Sequence, residues 1–345
     1  MLKYEHGGDI YKNEGVKLDY SVNLNPLGMP EAVKQALAQN VDVFSKYPDG
    51  DCHALREKIS RKEGVPAENI LCGNGASDLI YRMCFALKPR TALVTAPAFS
   101  DYERAVRLSG GKVKYHKLFE SEGFLLTKRI LEDISGGTDI VFVCSPNNPT
   151  GRLVSFKALE AIAEKCEERG AYFVVDECFI DFTTADTAKY FMDKFKNIII
   201  LKAFTKSYAM AGLRLGYMMT RNTEVLEGVR EYAQPWSVSA PAQAAGIAAL
   251  DAGVDFSEVR RMIAQERVFL EREIYALGIY TYYSDVNFLL IKSAKPIYDC
   301  LLHRGILIRK CSNFEGLDEK YSRISIRTRA ENEQFIAALR EVLHG

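Results

Sequence analysis

The sequence lacks any apolar run that approaches the roughly 18 residues needed to cross a membrane. Its N-terminal stretch, MLKYEHGGDIYKNEG, has no apolar core of an export signal. These absences predict a cytoplasmic protein without a membrane segment. Basic and acidic residues balance at 45 each, and no long block of one sign occurs. A nucleic-acid partner is therefore not expected.

The eight cysteines form no C-x-x-C pair, and the five histidines are scattered. Zinc sites need clustered ligands, so no metal site is predicted. Cys84 and Cys144 lie inside apolar runs. This pattern is typical of reduced, partly buried thiols in a cytosolic protein.

Short apolar runs alternate with amphipathic patterns through the middle of the chain. The predicted strands are Thr91–Pro97, Ile140–Pro146, Ala171–Glu177, Asn197–Leu201 and Arg214–Thr220. Each is continuously apolar, which is typical of strands covered on both faces. Between two of them, Ser155–Gly170 has the serine cap and terminal glycine of a helix. The alternation predicts an α/β fold, with a mostly parallel sheet sandwiched by helices in a large domain over residues 45–235.

The pattern changes after about residue 236, and a smaller α+β domain is predicted there. Its predicted helices are Ala240–Gly253, Phe256–Gly278 and Ala330–His344, and its predicted strands are Asn287–Lys292, Gly305–Arg309 and Tyr321–Arg327. Residues 1–44 are poor in apolar side chains and are expected to pack against it. The small domain would then combine residues 1–44 with 236–345, which suits a chain of this length.

Polar groups stand at or near the ends of several predicted strands, where ligands of open α/β sheets gather. These segments are Gly73–Ser77 (GNGAS), Ser145–Gly151 (SPNNPTG), Asp176-Glu177 and Thr205-Lys206. The first opens a helical pattern, so its backbone N–H groups suit a phosphate. Taken singly, each segment is also explained as a turn, a helix cap or a lysine that reaches solvent.

Together with GLRLGY at Gly212–Tyr217, these segments resemble in order and spacing the signature of fold-type-I pyridoxal 5'-phosphate (PLP) enzymes of the class I/II aminotransferase family. Lys206 lies 30 positions after Asp176 and 8 before Arg214, and Asp176 lies 28 after Asn148. The resemblance implies that Lys206 holds PLP as a Schiff base and then acts as an acid and base. It also implies a homodimer with active sites at the interface.

The resemblance extends to the other cofactor contacts. Asp176 would face the pyridine nitrogen, Asn148 would donate to the ring 3-oxygen, and Phe99 would stack on the ring, with an ordinary core aromatic as the alternative for Phe99. The phosphate-binding residues would be Gly75, Ala76, Ser77, Thr205 and Arg214, with Tyr47 from the neighbouring subunit. Ala203 stands where many relatives carry a hydroxyl for the phosphate, and the resemblance leaves open whether Thr205 replaces it or the affinity for PLP is reduced.

Within the family, the sequence resembles the group that contains L-threonine-O-3-phosphate decarboxylases of cobalamin biosynthesis and histidinol-phosphate aminotransferases. The segments that look like the decarboxylases are His6-Gly7-Gly8, Asp19–Pro30, Pro235–Ala240 and Ile306–Arg327. Phe179 stands where the aminotransferases usually carry a tyrosine that reaches the ring 3-oxygen. Without that donor the pKa of the Schiff base should rise; drift within a lineage is the alternative explanation.

Substrate contacts are also implied by the resemblance. Arg323 matches the arginine that pairs with the substrate α-carboxylate, since a planar fork suits a planar anion. The other substrate-binding residues would be His6, Asn23, Asn148, Arg309 and Arg327. The predicted substrate is a small, phosphorylated amino acid.

The predicted function is PLP-dependent decarboxylation of L-threonine O-3-phosphate to (R)-1-aminopropan-2-yl phosphate. The alternative is an aminotransferase acting on histidinol phosphate, or on another aromatic or phosphorylated amino acid, with 2-oxoglutarate. Residue identities leave the two open, because the bond that breaks is the one perpendicular to the cofactor ring. A PLP-binding regulator without turnover is disfavoured, since the chain has no room for a basic DNA-binding module.

Overall fold

A computed structural model describes residues 6–344. Its strands are β1 Leu18–Asp19, β2 Ile70–Gly73, β3 Thr91–Ala96, β4 Lys112–Lys117, β5 Ile140–Cys144, β6 Tyr172–Asp176, β7 Ile198–Ala203, β8 Gly216–Met219, β9 Tyr280–Thr281, β10 Phe288–Lys292, β11 Ile306–Leu307, β12 Arg309–Lys310 and β13 Tyr321–Ser325. Its α-helices are α1 Glu31–Gln39, α2 His53–Glu63, α3 Ala76–Leu87, α4 Ser100–Leu108, α5 Ile130–Asp133, α6 Phe156–Arg169, α7 Phe204–Ser207, α8 Thr223–Glu231, α9 Ala240–Asp251, α10 Phe256–Ala276, α11 Tyr298–Leu302 and α12 Arg329–His344.

The main sheet has seven strands in the order β2-β8-β7-β6-β5-β3-β4. Strands β3 to β7 run parallel, whereas β8 is antiparallel to both β7 and β2. The prediction of a mostly parallel sheet is therefore confirmed. The edge strand β4 was not predicted, because its sequence, KVKYHK, is half lysine rather than continuously apolar, and the strand is only partly buried.

Both faces of this sheet are buried, which explains the continuous apolar runs. On β5, Val141 and Val143 pack in one core, while Ile140 and Phe142 pack in the other. Helices α2, α6 and α9 contribute to the first core, and α3, α4 and α8 to the second. The prediction of helices on both faces is confirmed.

Helix α6 has the boundaries that its sequence predicts. The Ser155 hydroxyl accepts the N–H of Ala158 and so caps the first turn. Gly170 ends the helix at φ +68°, a left-handed conformation that glycine adopts without steric cost.

The smaller part is built on an antiparallel sheet in the order β12-β13-β10-β9. Helices α10 and α12 share its core, which contains Leu270, Ile324 and Phe335. The early segment packs here as expected, since β1 pairs in parallel with β11. One predicted strand, Gly305–Arg309, is instead two: β11 pairs with β1, and β12 pairs with β13. The domain boundaries themselves stay a prediction.

A buried cluster of charges lies beside β7 and β8. Glu63, at the end of α2, accepts hydrogen bonds from Lys202 Nζ at 3.0 Å, Lys189 Nζ at 3.0 Å and the Tyr217 hydroxyl at 2.6 Å. Burial by itself raises the pKa of Glu63, but the charges of Lys202, Lys62 and Lys189 outweigh it and hold the pKa at about 2. The carboxylate is therefore ionised and paired in the folded chain.

Glu63→Gln is expected to lower the free energy of unfolding by roughly 3–5 kcal/mol, because Lys202 then loses its nearest counter-ion while remaining buried. Since the folded pKa lies below the unfolded value, the stabilisation is present above about pH 4.3 and is lost as pH falls toward 2. Urea unfolding of both proteins at pH 7 and pH 3 measures this difference. Glu160→Gln removes the exposed pair with Lys194 and should cost less than about 1 kcal/mol. Equal losses of unfolding free energy in Glu63→Gln and Glu160→Gln at pH 7 would contradict the role of Glu63 as a buried, ionised partner of Lys202.

Candidate active site

Polar side chains meet where three neighbouring strands of the main sheet end. The register of β5, β6 and β7 aligns Cys144 with Asp176 and Asp176 with Leu201. Asn148 follows β5, Asp176 ends β6, and Lys206 lies in α7 directly after β7. All three line one cavity of about 430 Å³. From β3 the chain adds β4 on one side and then β5, β6 and β7 on the other, so the strand order reverses between β3 and β5. Ligands of α/β sheets bind at such switch points.

Lys206 supplies a primary amine to this cavity. Asn25 fixes its backbone, since the Asn25 N–H donates to the Lys206 carbonyl at 2.9 Å and the Asn25 side chain donates to the Ser207 carbonyl at 2.8 Å. Burial, followed by the positive charge of Arg323, lowers the pKa of Lys206 to about 8. About a tenth of such amines are neutral at pH 7, far more than for an ordinary lysine. The neutral amine is the form that attacks a carbonyl.

Asp176 supplies a fixed carboxylate. The Cys178 N–H donates to its Oδ1 at 3.0 Å, and the Tyr102 hydroxyl donates to its Oδ2 at 2.6 Å. Asp176 is only 5% exposed. A carboxylate held in this way can pair with a protonated ring nitrogen at a defined position.

An anion cradle lies at the N-terminus of α3. Gly75 precedes the helix at φ +83°, and a Cβ there would lie 2.7 Å from Arg214 Nη2. On β8, a Cβ at Gly216 would lie 2.6 Å from the Ala76 nitrogen. Glycine at both positions therefore lets the first turn of α3 and the Arg214 guanidinium come together, as an anion requires. The hydroxyl residues Ser77 and Thr205 also line the cavity.

Arg323, on β13, connects the smaller sheet to the cavity. Its Nη1 donates to Asn148 Oδ1, and its Nη2 donates to the Ser21 carbonyl at 2.7 Å. The bond to Asn148 leaves the amide NH2 group of that side chain as the donor toward a ligand. Arg323 Nε is buried and has no hydrogen-bond partner within residues 6–344. Burial lowers the pKa of Arg323 to about 10, so the guanidinium remains charged at neutral pH.

Further polar groups come from the early segment and from β12. His6 Nε2 lies 3.3 Å from Asp101 Oδ1. Asn23 is buried, and its Oδ1 has no hydrogen-bond partner among the described residues. The Arg309 guanidinium lies 5.2 Å from the centre of the Phe314 ring. All five side chains line the cavity.

Apolar rings complete the wall. Phe99 and Phe179 both line the cavity, and Phe179 packs edge-on against Phe288 with ring centres 5.1 Å apart. The predicted stacking role of Phe99 stays a prediction. Asn148, Asp176 and Phe179 line the same cavity, and the Phe179 side chain has no hydroxyl to donate there.

The structure places Tyr47 and Arg327 outside the cavity lining. Tyr47 is 78% exposed and stacks on Trp236 with ring centres 4.2 Å apart, so its contribution to a partner subunit stays a prediction. Arg327 donates through Nε and Nη2 to Glu331 and through Nη1 to the Asp19 carbonyl. Arg327 therefore joins the start of α12 to β1, and its predicted contact with the substrate stays a prediction.

Sequence reasoning missed several residues of the site. Asp101 and Tyr102 follow Phe99 in the first turn of α4, and only the helical periodicity of that segment could have pointed to them. Cys144 and Cys178 also line the cavity. Cys144 ends β5, and Cys178 lies two residues after the end of β6. Their place at the carboxyl ends of strands, which predicted Asp176, could have predicted these cysteines too.

Neither a membrane segment nor a metal site emerges from the part of the chain that is described. No helix within residues 6–344 is long and apolar enough to cross a membrane. In the same residues, no group of three or more His, Cys, Asp or Glu side chains is placed to hold a metal ion.

A family model described as aminotransferase class I and II matches residues 16–339. Over this whole chain and 98% of the relative, the sequence is 38% identical to a threonine-phosphate decarboxylase of Salmonella typhimurium.

Two solved structures share the fold. The histidinol-phosphate aminotransferase from Clostridium acetobutylicum has a TM-score of 0.88 and 29% identity, with 95% of this chain and 99% of that chain covered. The L-threonine-O-3-phosphate decarboxylase from Porphyromonas gingivalis has a TM-score of 0.85 and 26% identity, with 95% and 100% covered. The predicted fold-type-I PLP-transferase fold is confirmed by these likenesses. The chain therefore belongs to the class I and II aminotransferase family.

Proposed function

We propose that this chain is a PLP-dependent decarboxylase that converts L-threonine O-3-phosphate to (R)-1-aminopropan-2-yl phosphate and CO2. The observation that carries the proposal is that one cavity combines an amine, a carboxylate and an anion cradle with a second set of basic side chains, Arg323, Arg309 and His6. The first set suits PLP, and the second suits a substrate with two anionic groups. The full-length likeness to the Salmonella decarboxylase supports it.

The residues present fit PLP. Arg214 and the N–H groups at the start of α3 would hold the phosphate, Asp176 the ring nitrogen, and Lys206 the aldehyde. A Cβ at residue 75 would displace the Arg214 guanidinium from the start of α3, so glycine there suits the cradle, and the lowered pKa of Lys206 suits covalent attachment. When bound, PLP withdraws electrons from the substrate α-carbon and so allows a bond at that carbon to break.

Arg323 would bind the substrate carboxylate. Its Nε is buried without a partner in residues 6–344, and an incoming carboxylate would satisfy it. The bonds to Asn148 and the Ser21 carbonyl fix the plane of the guanidinium, so they also fix the orientation of whatever it binds.

The substrate phosphate would be bound by His6, Arg309 and the amide of Asn23. Asp101 lies beside His6 Nε2, so Nδ1 is the ring nitrogen that would donate to an anion. Arg309 lies against the Phe314 ring, which holds its guanidinium in place through a cation–π contact.

Lys206 would supply the final proton. Once CO2 has left, the substrate α-carbon needs a proton, and Lys206 Nζ is a group in the cavity wall whose pKa, about 8, suits its transfer. The apolar faces of Phe179 and Phe314 would keep bulk water from that carbon.

An aminotransferase acting on histidinol phosphate is the second candidate. The TM-score of 0.88 with the Clostridium enzyme supports it, and it would use the same Arg323 and Lys206. Phe179 favours the decarboxylase, since the aminotransferases that the sequence resembles usually carry tyrosine at this position.

We also propose a homodimer in the cytoplasm. Tyr47 and Trp236 form an exposed stacked pair, with Val41 59% exposed nearby in sequence, and a second copy would bury such apolar surface. Tyr47 would then reach the partner's cavity. All eight cysteines are free thiols, which suits a reducing compartment.

The function is tested by incubating the PLP-loaded protein with L-threonine O-3-phosphate and measuring CO2 release. We expect steady release without 2-oxoglutarate. A parallel incubation with histidinol phosphate and 2-oxoglutarate should give little turnover. Turnover confined to the second incubation would replace the decarboxylase with the aminotransferase.

Arg323→Lys is expected to lower kcat/KM for L-threonine O-3-phosphate by roughly 100-fold, because an ammonium cannot reproduce a bidentate fork to the carboxylate. Steady-state kinetics of both proteins measure this loss. Arg327→Lys is the matched control: it should leave kcat/KM within about twofold, since Arg327 holds Glu331 outside the cavity. A larger loss in the control than in Arg323→Lys would reverse the two assignments.

A further inference from the structure

Tyr102 lies directly behind the carboxylate of the site. It is fully buried in the first turn of α4, and its hydroxyl donates to Asp176 Oδ2 at 2.6 Å. Its ring stacks on Phe142 with centres 5.1 Å apart and meets Phe99 edge-on at 5.7 Å. One side chain therefore contacts both the carboxylate and an aromatic residue of the cavity wall.

The Tyr102 hydroxyl stays protonated and can therefore always donate a hydrogen bond. Burial, followed by the charge of Asp176, raises the pKa of Tyr102 well above its ordinary value, so the phenol stays protonated. Cys144 also faces this hydroxyl, and burial raises the pKa of that thiol, which stays neutral. The charged acceptor that faces the hydroxyl is thus Asp176.

The two hydrogen bonds to Asp176 fix its rotation. Cys178 N–H donates to Oδ1 and Tyr102 donates to Oδ2, and the Cys178 thiol, whose pKa burial raises, also faces this carboxylate. A carboxylate held at both oxygens is restricted in its rotation about the Cβ–Cγ bond. In a buried, low-dielectric setting such bonds strengthen one another.

We propose that Tyr102 is a positioning residue that aims Asp176 at the ring nitrogen of PLP and holds Phe99 beside it. The inference rests on the proposed PLP function. Tyr102 itself does not line the cavity, so it acts through Asp176 and Phe99 rather than on any ligand. Residues that orient a binding group in this way commonly affect affinity by about tenfold or more, as the outer partners of metal ligands do.

Tyr102→Phe tests the proposal, because it removes the hydroxyl and keeps the ring that packs on Phe142 and Phe99. We expect the dissociation constant for PLP, measured by titrating the apoprotein and following absorbance, to rise about tenfold. The pH midpoint of the visible absorbance of the loaded protein should also move upward. A positive charge on the ring nitrogen lowers the pKa of Lys206 Nζ. If Asp176 holds that charge less firmly in the variant, this lowering is smaller and the pKa rises.

Tyr217→Phe is the matched control. Tyr217 is also a buried tyrosine whose hydroxyl donates to a buried carboxylate, Glu63, at 2.6 Å, but neither residue lines the cavity. It should destabilise the chain comparably while leaving PLP affinity and the pH midpoint unchanged. If Tyr102→Phe matches this control in both readouts, the positioning role is overturned.

A double-mutant cycle with Asp176→Asn shows whether Tyr102 acts through that carboxylate. In the Asp176→Asn background, Tyr102→Phe should weaken PLP binding by less than about twofold further. Independent, additive losses would overturn the proposal. A wild-type chain that binds PLP but releases no CO2 would sink the proposed substrate and leave these comparisons valid, whereas a wild-type chain that takes up no PLP would overturn both.

Discussion

The hydrogen-bonded register between β5, β6 and β7 is the constraint on which the site depends. Because the three strands are parallel neighbours, their carboxyl ends meet at one edge and bring together Asn148, Asp176 and Lys206. Both faces of these strands are buried. A slip of one residue would turn each strand's side chains into the opposite core, so the packing that stabilises the sheet also fixes the site.

The second constraint is the closure of this edge by the early segment and the smaller sheet. Asn25 holds the backbone of Lys206, and Arg323 holds both Asn148 and the Ser21 carbonyl. The group proposed to bind the substrate carboxylate is therefore also the group that orients a proposed cofactor contact. Disturbing the smaller part should affect both functions together, since these contacts join it to the large sheet.

Much of this arrangement follows from sequence. Continuous apolar runs predicted β5, β6 and β7, and the polar residues after them could be placed at one edge because parallel strands end together. Contacts that depend on tertiary packing could not be predicted. The edge strand β4 has a polar pattern, Tyr102 reads as an ordinary core aromatic, and the roles of the site residues stay proposals. The ion pair of Arg327 with Glu331 could have been expected, because the two opposite charges lie four residues apart in the chain.

The central claim is that Lys206 anchors the cofactor. Borohydride makes the attachment of PLP to its lysine permanent, so peptide mass spectrometry of the reduced, PLP-loaded chain tests it directly. We expect the added mass on the peptide that contains Lys206, with none on the buried neighbour Lys202, whose ammonium is paired with Glu63. A label on Lys202 or on a surface lysine, with Lys206 unmodified, would contradict the account.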